Sequence, residues 1–167
     1  MFENVKSDLR AYKGDWSKQG FWVMLVYRLG RWRYGIRLSF IRKIFSLLYK
    51  FLFKFIQIIT GIELPCETKV GHNLRIDHFG GIVISGFAEI GNNCVIRNGV
   101  TIGLKNIDLP EAPIIGDNCD IGTGAKILGG IQIGDNVTIG ANAVVLKNIP
   151  SNCIAVGIPA IHKKKSK

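Results

Sequence analysis

Histidine is scarce in this chain: His72, His78 and His162 are the only ones in 167 residues. His162 stands among the lysines near the C-terminus. The body therefore holds two, too few for a three-histidine zinc centre within one chain. The four cysteines show no disulfide pattern and no metal-ligand spacing. That excludes a disulfide-stapled scaffold and points to a reducing compartment. Acids are scarce in one place only. Residues 1–60 hold 12 Lys and Arg against three Asp and Glu, while residues 61–167 hold ten against nine. The net charge of +10 is thus an N-terminal property, and a nucleic-acid footprint over the whole chain is excluded. Long apolar runs are missing too. Residues 21–38 are interrupted by Arg28, Arg31, Arg33 and Arg37, and residues 44–60 contain Lys50 and Lys54. Neither reaches the roughly twenty apolar residues of a transmembrane helix. The opening MFENVKSDLRAYKGDW has no apolar core and cleavage site, so no signal peptide is expected. Period-two alternation with hairpin turns, which a β-sandwich needs, is absent.

What is present is a six-residue beat. An aliphatic residue returns at Val70, Ile76, Ile84, Ile90, Ile96, Ile102, Ile115, Ile121, Ile127, Ile133, Ile139 and Val145. Two intervals are longer, Ile76 to Ile84 and Ile102 to Ile115. A small or apolar residue commonly sits four after the anchor, as at Ala88, Cys94, Val100, Cys119 and Ala125. This period predicts a mainly β fold, a left-handed parallel β-helix in which three hexads make one triangular coil. Anchors about eighteen apart then stack: Ile84 with Ile102, Ile115 with Ile133, Ile121 with Ile139. Gly-Asn and Asp-Asn pairs serve the corners, where left-handed backbone is required. The expected organisation is an α-helical segment over residues 1–60, the β-helix over 61–160 and a basic tail over 161–167.

In the helical segment, Ser46, Lys50, Lys54 and Gln57 form one narrow polar stripe on an otherwise apolar helix that Gly61 stops. Two readings stand. Residues 16–60 lie on an anionic membrane surface, or they pack on each other, on the β-helix or on a neighbouring subunit.

The chemistry centres on His78, in the stretch IDHFGGIVIS at the first break of the repeat. A neutral imidazole is a general base near neutral pH. Glu63, fifteen residues earlier and one coil away, is the candidate to steady the imidazolium. Asp77 alternates to the other side and is the weaker choice. The alternative is a histidine that serves only as a structural hydrogen-bond donor. At the second break, GLKNIDLPEAPI forms a loop expected to protrude from a coil corner.

With these residues in hand, the chain resembles the hexapeptide-repeat acyltransferases, in their serine acetyltransferase-like branch. The likeness covers residues 61–160. It is carried by IDHFGGIVISGFAEIGNNCVIRNGVTIG, IGTGAKILGGIQIGDNVTIGANAVV and AVGIPA. It implies His78 as general base, with Glu63 in a place where the family has Asp. It implies acetyl-CoA as acyl donor, lying between subunits of a homotrimer along Gly103, Leu104, Thr123, Ala141 and Lys147, with Ile158 and Pro159 at the adenine end. A backbone N–H near Gly103 and Leu104 is then the oxyanion donor. Asp77, Asn98 and Glu111 fall to the acceptor, and no metal is required. Two departures count against serine as acceptor. The family's second histidine, followed by proline, reads Ala112-Pro113 here, and the long acidic helical domain is replaced by sixty basic, aromatic residues. That short N-terminus, with TGIELP, looks like the acetyltransferases of capsule, exopolysaccharide and O-antigen clusters. The expectation is therefore O-acetylation of a sugar hydroxyl on a saccharide, lipid-linked in some of those systems. The protein is expected in the cytoplasm, peripheral to the inner face of the membrane. Serine O-acetylation and a non-catalytic membrane-associated scaffold are the alternatives.

Overall fold

The computed structural model describes residues 2–165. Three helices come first: α1 (Phe2–Ala11), α2 (Gln19–Trp32) and α3 (Ser39–Thr60). Gly61 ends α3 in left-handed backbone, φ 64°, and its N–H returns to the carbonyl of Gln57. A parallel β-helix of about five coils follows. Its first face stacks β1 (Ile62–Glu63), β4 (Ile82–Ile84), β7 (Thr101–Gly103), β10 (Lys126–Leu128) and β13 (Val144–Val145). The second face stacks β2 (Lys69–Val70), β5 (Glu89–Ile90), β8 (Ile114–Ile115) and β11 (Gln132–Ile133). The third stacks β3 (Arg75–Asp77), β6 (Val95–Arg97), β9 (Asp120–Ile121), β12 (Thr138–Ile139), β14 (Cys153–Gly157) and β15 (Ala160–Lys164).

The anchors stack as the hexad spacing requires. Ile84 pairs with Ile102, Ile115 with Ile133, and Ile121 with Ile139. The longer intervals are absorbed whole at corners, so Ile102 still meets Ile127 and Ile90 still meets Ile115. Ile76, Ile84, Ile96, Ile102, Ile121 and Ile127 are all buried, each contributing about 1.5–3 kcal/mol by leaving water. The beat also starts one hexad earlier than Val70, with the buried Leu64. All four cysteines are free and buried.

Two corners carry columns of left-handed residues. Between the second and third faces these are Asn73, Asn93, Asn118, Asn136 and Asn152. Their amides form a ladder, Asn73 to Asn93 at 2.9 Å and Asn93 to Asn118 at 3.3 Å. Between the third and first faces the column is Gly61, Gly81, Gly99, Gly124 and Asn142. A Cβ on Gly61 would stand 3.1 Å from the Cα of Gly80, so the tight stacking itself selects glycine there.

A parallel coil has an open lower edge, and unpaired peptide groups there are costly when buried. The helices supply the partners. Tyr12 Oη receives the N–H of Ile76 at 2.8 Å; Tyr27 Oη donates to the carbonyl of Thr68 at 2.8 Å and receives the N–H of Val70 at 3.1 Å. Tyr49 Oη receives the N–H of Cys66 at 3.0 Å. Arg28, paired with the buried Asp8, donates to the carbonyl of Gly71 at 2.7 Å. Gly20 is what lets α2 lie so close, since a Cβ there would stand 2.4 Å from the carbonyl oxygen of Ile76. The membrane-surface reading of residues 16–60 is thereby corrected for α2. Val23, Met24, Val26 and Tyr27 are buried against the β-helix, because a solenoid end needs a cap. No helix among the described residues is long and apolar enough to cross a membrane. The expected tail also begins differently. Ala160–Lys164 pairs antiparallel with β14 and closes the upper end, with His162 opposite Ala155.

Candidate active site

His78 lies where β3 gives way to the corner that leads into β4. Its backbone is left-handed, φ 64°, and its side chain is exposed. A non-glycine residue held there costs about 1–3 kcal/mol, and such strain gathers at functional positions. A cavity of ≈ 400 Å³ opens beside it. One wall comes from the third face, with Arg75, Asp77, His78 and Phe79, and the other from the α1–α2 junction, with Tyr12, Lys13, Lys18 and Gln19. Asp77 is engaged by its own strand: Arg75 reaches its carboxylate at 2.9 Å, and Arg97 stands opposite it on β6. Arg97 in turn pairs with Asp120, and that hydrogen bond raises the guanidinium above its usual range. Tyr12 is pushed upward by burial, with the charges of Asp77 and Asp8 adding to it. The cavity thus holds three cations, Lys13, Lys18 and Arg75, with one carboxylate, Asp77, beside the imidazole, a setting that can take a group of net negative charge.

Glu63 stands on the first face, two residues after the corner at Gly61, in an outward row with Val83, Thr101, Lys126 and Val144. Its Oε2 accepts a hydrogen bond from Nε2 of Gln57 at 2.8 Å. Among the described residues no hydrogen bond joins it to His78. The two approach the same prism edge from opposite sides, Glu63 from the first face and His78 from the third.

The other expected residues divide between the two edges of the first face. Asn98, Thr123 and Ala141 step up the His78 edge, each just before its corner residue, and Thr123 Oγ1 donates to Asn98 Oδ1 at 3.2 Å. Gly103 and Leu104 lie at the far edge, where the N–H of Gly129 meets the carbonyl of Gly103. Glu111 folds over Gly130 there, and Lys147 follows β13. Ile158 and Pro159 form the exposed turn between β14 and β15, joined by a cis peptide bond. None of these residues lines the His78 cavity. Lys13, Lys18, Gln19 and Arg75 were not singled out from the sequence. Lys13, Lys18 and Gln19 line the His78 cavity only because α1 and α2 dock on the first coil, and no motif marks them; Arg75 reaches it from β3, two residues before Asp77. His72 sits on a different corner, beside a cavity of ≈ 610 Å³ that Arg28, Trp32 and Lys69 also line.

A hexapeptide-built parallel β-helix with a histidine at a strained corner defines a hexapeptide-repeat transferase. Residues 112–147 match the family described as bacterial transferase hexapeptide (six repeats), and residues 81–103 match the hexapeptide repeat of succinyl-transferase. The chain is 41% identical to the serine acetyltransferase of Helicobacter pylori strain J99 over 95% of its own length and 91% of that protein. It is 40% identical to the serine acetyltransferase of Synechococcus elongatus over 84% of its length, but spans only 55% of that relative. Brucella abortus serine acetyltransferase, solved in complex with coenzyme A, superposes with a TM-score of 0.83 at 28% identity, over 99% of this chain and 68% of that one. The chain belongs to the serine acetyltransferase family.

These likenesses correct the expected acceptor. They favour serine acetyltransferases over polysaccharide O-acetyltransferases, so the sugar hydroxyl is set aside. The short N-terminus had argued against serine, yet the Helicobacter relative is matched over nearly its whole length and bears that name. Ala112, the other argument, is partly buried and packs against the core.

Proposed function

We propose that this protein is a serine O-acetyltransferase with acetyl-CoA as its acyl donor, working as a homotrimer. The observation that carries the reading is the strained, exposed His78 at a cavity ringed by Lys13, Lys18 and Arg75. Serine presents a carboxylate, which the three cations suit, and an ammonium group, which Asp77 suits. His78 removes the proton from the serine hydroxyl as its oxygen attacks the thioester carbonyl. The tetrahedral oxyanion is met by a backbone N–H near Gly103 and Leu104 of a neighbouring subunit. The carbon–sulfur bond then breaks, and the coenzyme A thiolate takes the proton from the imidazolium, leaving O-acetylserine. Glu63 supports the imidazolium through Oε1, the oxygen that Gln57 leaves free. The far-edge residues Gly103, Leu104 and Lys147, with Ile158 and Pro159, are assigned to the donor, and Thr123 and Ala141 to its passage along the His78 edge.

The test is release of coenzyme A from acetyl-CoA by purified protein, with serine or a panel of sugars and short glycans as acceptor. Serine-dependent release that falls about 10²–10⁴-fold in His78→Ala is the expected result. Release driven by sugars and not by serine overturns the assignment.

A further inference from the structure

Helix α3 presents three faces. Tyr49 and Thr60 are buried inward. Outward stand Phe40, Ile44, Leu47, Phe51, Phe55 and Ile58, each between 53% and 74% exposed. Their spacings of four, three, four, four and three keep them on one side over the length of the helix. Lys43, Lys50 and Lys54 run along one border of this stripe. An apolar face of this length is more than scattered surface hydrophobicity, and it calls for an occupant.

Charge says which. Residues 16–62 contain no Asp or Glu and nine Lys and Arg. A second copy of α3 laid on the stripe would bring lysine against lysine with no acid to pair. A surface that is apolar within and anionic at its boundary answers both features at once. We propose that the outward face of α3 docks on an anionic lipid bilayer. The helix lies in the plane of the interface, its phenylalanines and aliphatics among the upper acyl carbons and its lysines at the headgroups. At 22 residues it is about 33 Å long, so the whole stripe is engaged at once. The docking face leaves α2 free to cap the β-helix, and it is independent of which acceptor the active site takes.

Co-sedimentation of the full chain with vesicles tests this, using phosphatidylcholine alone or mixed with phosphatidylglycerol, at low and high salt. Binding to the mixed vesicles, weakened by salt, is expected. It should fall at least about tenfold in Phe51→Glu/Phe55→Glu and by a similar factor in Lys43→Glu/Lys50→Glu. Circular dichroism and coenzyme A release, both unchanged, show that the variants are folded. No binding to anionic vesicles overturns the proposal. So does a particle mass in light scattering that drops in Phe51→Glu/Phe55→Glu while vesicle binding stays as in the parent, since the face then holds another copy of the chain.

Discussion

Gln57, in the last turns of α3, donates from Nε2 to Oε2 of Glu63 at 2.8 Å, so the helical cap reaches the carboxylate proposed to support His78. This ties the cap to the chemistry through one side chain. Gln57→Leu removes the donor and frees the carboxylate to rotate. A hydrogen bond worth about 1 kcal/mol corresponds to roughly fivefold in rate. The expected outcome is a kcat lowered by about that factor and an unchanged KM for acetyl-CoA. Gln57→Glu, which cannot donate and adds a like charge, should be worse than leucine. A purely structural role would lower stability in urea unfolding and leave kcat where it was.

Tyr27 serves two peptide groups of the lowest coil through one hydroxyl. Tyr27→Phe keeps the ring and strands both groups in a buried setting. A loss of about 1–3 kcal/mol is expected in urea unfolding. Tyr34→Phe is the comparison: its hydroxyl, on a residue 52% exposed, bonds the side chains of Glu67 and Arg33 and no peptide group, so its loss should cost less, within about 1 kcal/mol. Equal effects from the two substitutions would mean that the tyrosines do not close the solenoid edge.

The repeat was legible because each anchor reports its own register. A buried Ile every six residues is a local statement, and the inserted stretches at His78 and Leu104 show as gaps in it. The corner asparagines and glycines were legible for the same reason, since left-handed backbone restricts the residue type. The role of α2 was not. Its arginines read as solvated or lipid-facing, whereas Arg28 is buried against Asp8 and the carbonyl of Gly71. Nothing in a one-dimensional pattern pairs Arg28 with a residue twenty positions earlier. Lys13 and Lys18 were hidden likewise, because they come to the His78 cavity only through tertiary docking. Glu63 was singled out by its spacing from His78, but its bond to Gln57 depends on how α3 meets the first coil.

Asp117 sets a pH dependence of stability. The N–H of Asn92 donates to its carboxylate at 2.7 Å, with help from the Asn92 side chain, and holds its pKa below the usual 3.8. A depressed carboxyl pKa stabilises the fold above the unfolded-state value. The contribution fades as pH falls through the folded value. Asp117→Asn should therefore flatten the decline of the thermal midpoint from about pH 5 downward, leaving the neutral-pH slope unchanged. An identical acid-side slope in both proteins would show that the corner ladder does not feel this charge.

Lys13 and Lys18 should set affinity for the acceptor and leave the donor alone. Lys18 is partly satisfied by Asp15 at 3.4 Å, and Arg75 by Asp77, so Lys13 carries the least committed charge at the His78 cavity. Its own backbone is left-handed, φ 55°, which makes Lys13→Gly the substitution that removes the cation without adding strain. Charge-assisted hydrogen bonds contribute about 1.5–3 kcal/mol, so Lys13→Gly should raise the KM for serine by roughly tenfold or more. The KM for acetyl-CoA should not move. Serinamide, which lacks the carboxylate, should be a poor acceptor for the parent and lose little further in Lys13→Gly. If serine and serinamide suffer equally from the substitution, the lysine holds the α1–α2 junction in shape and does not meet the carboxylate.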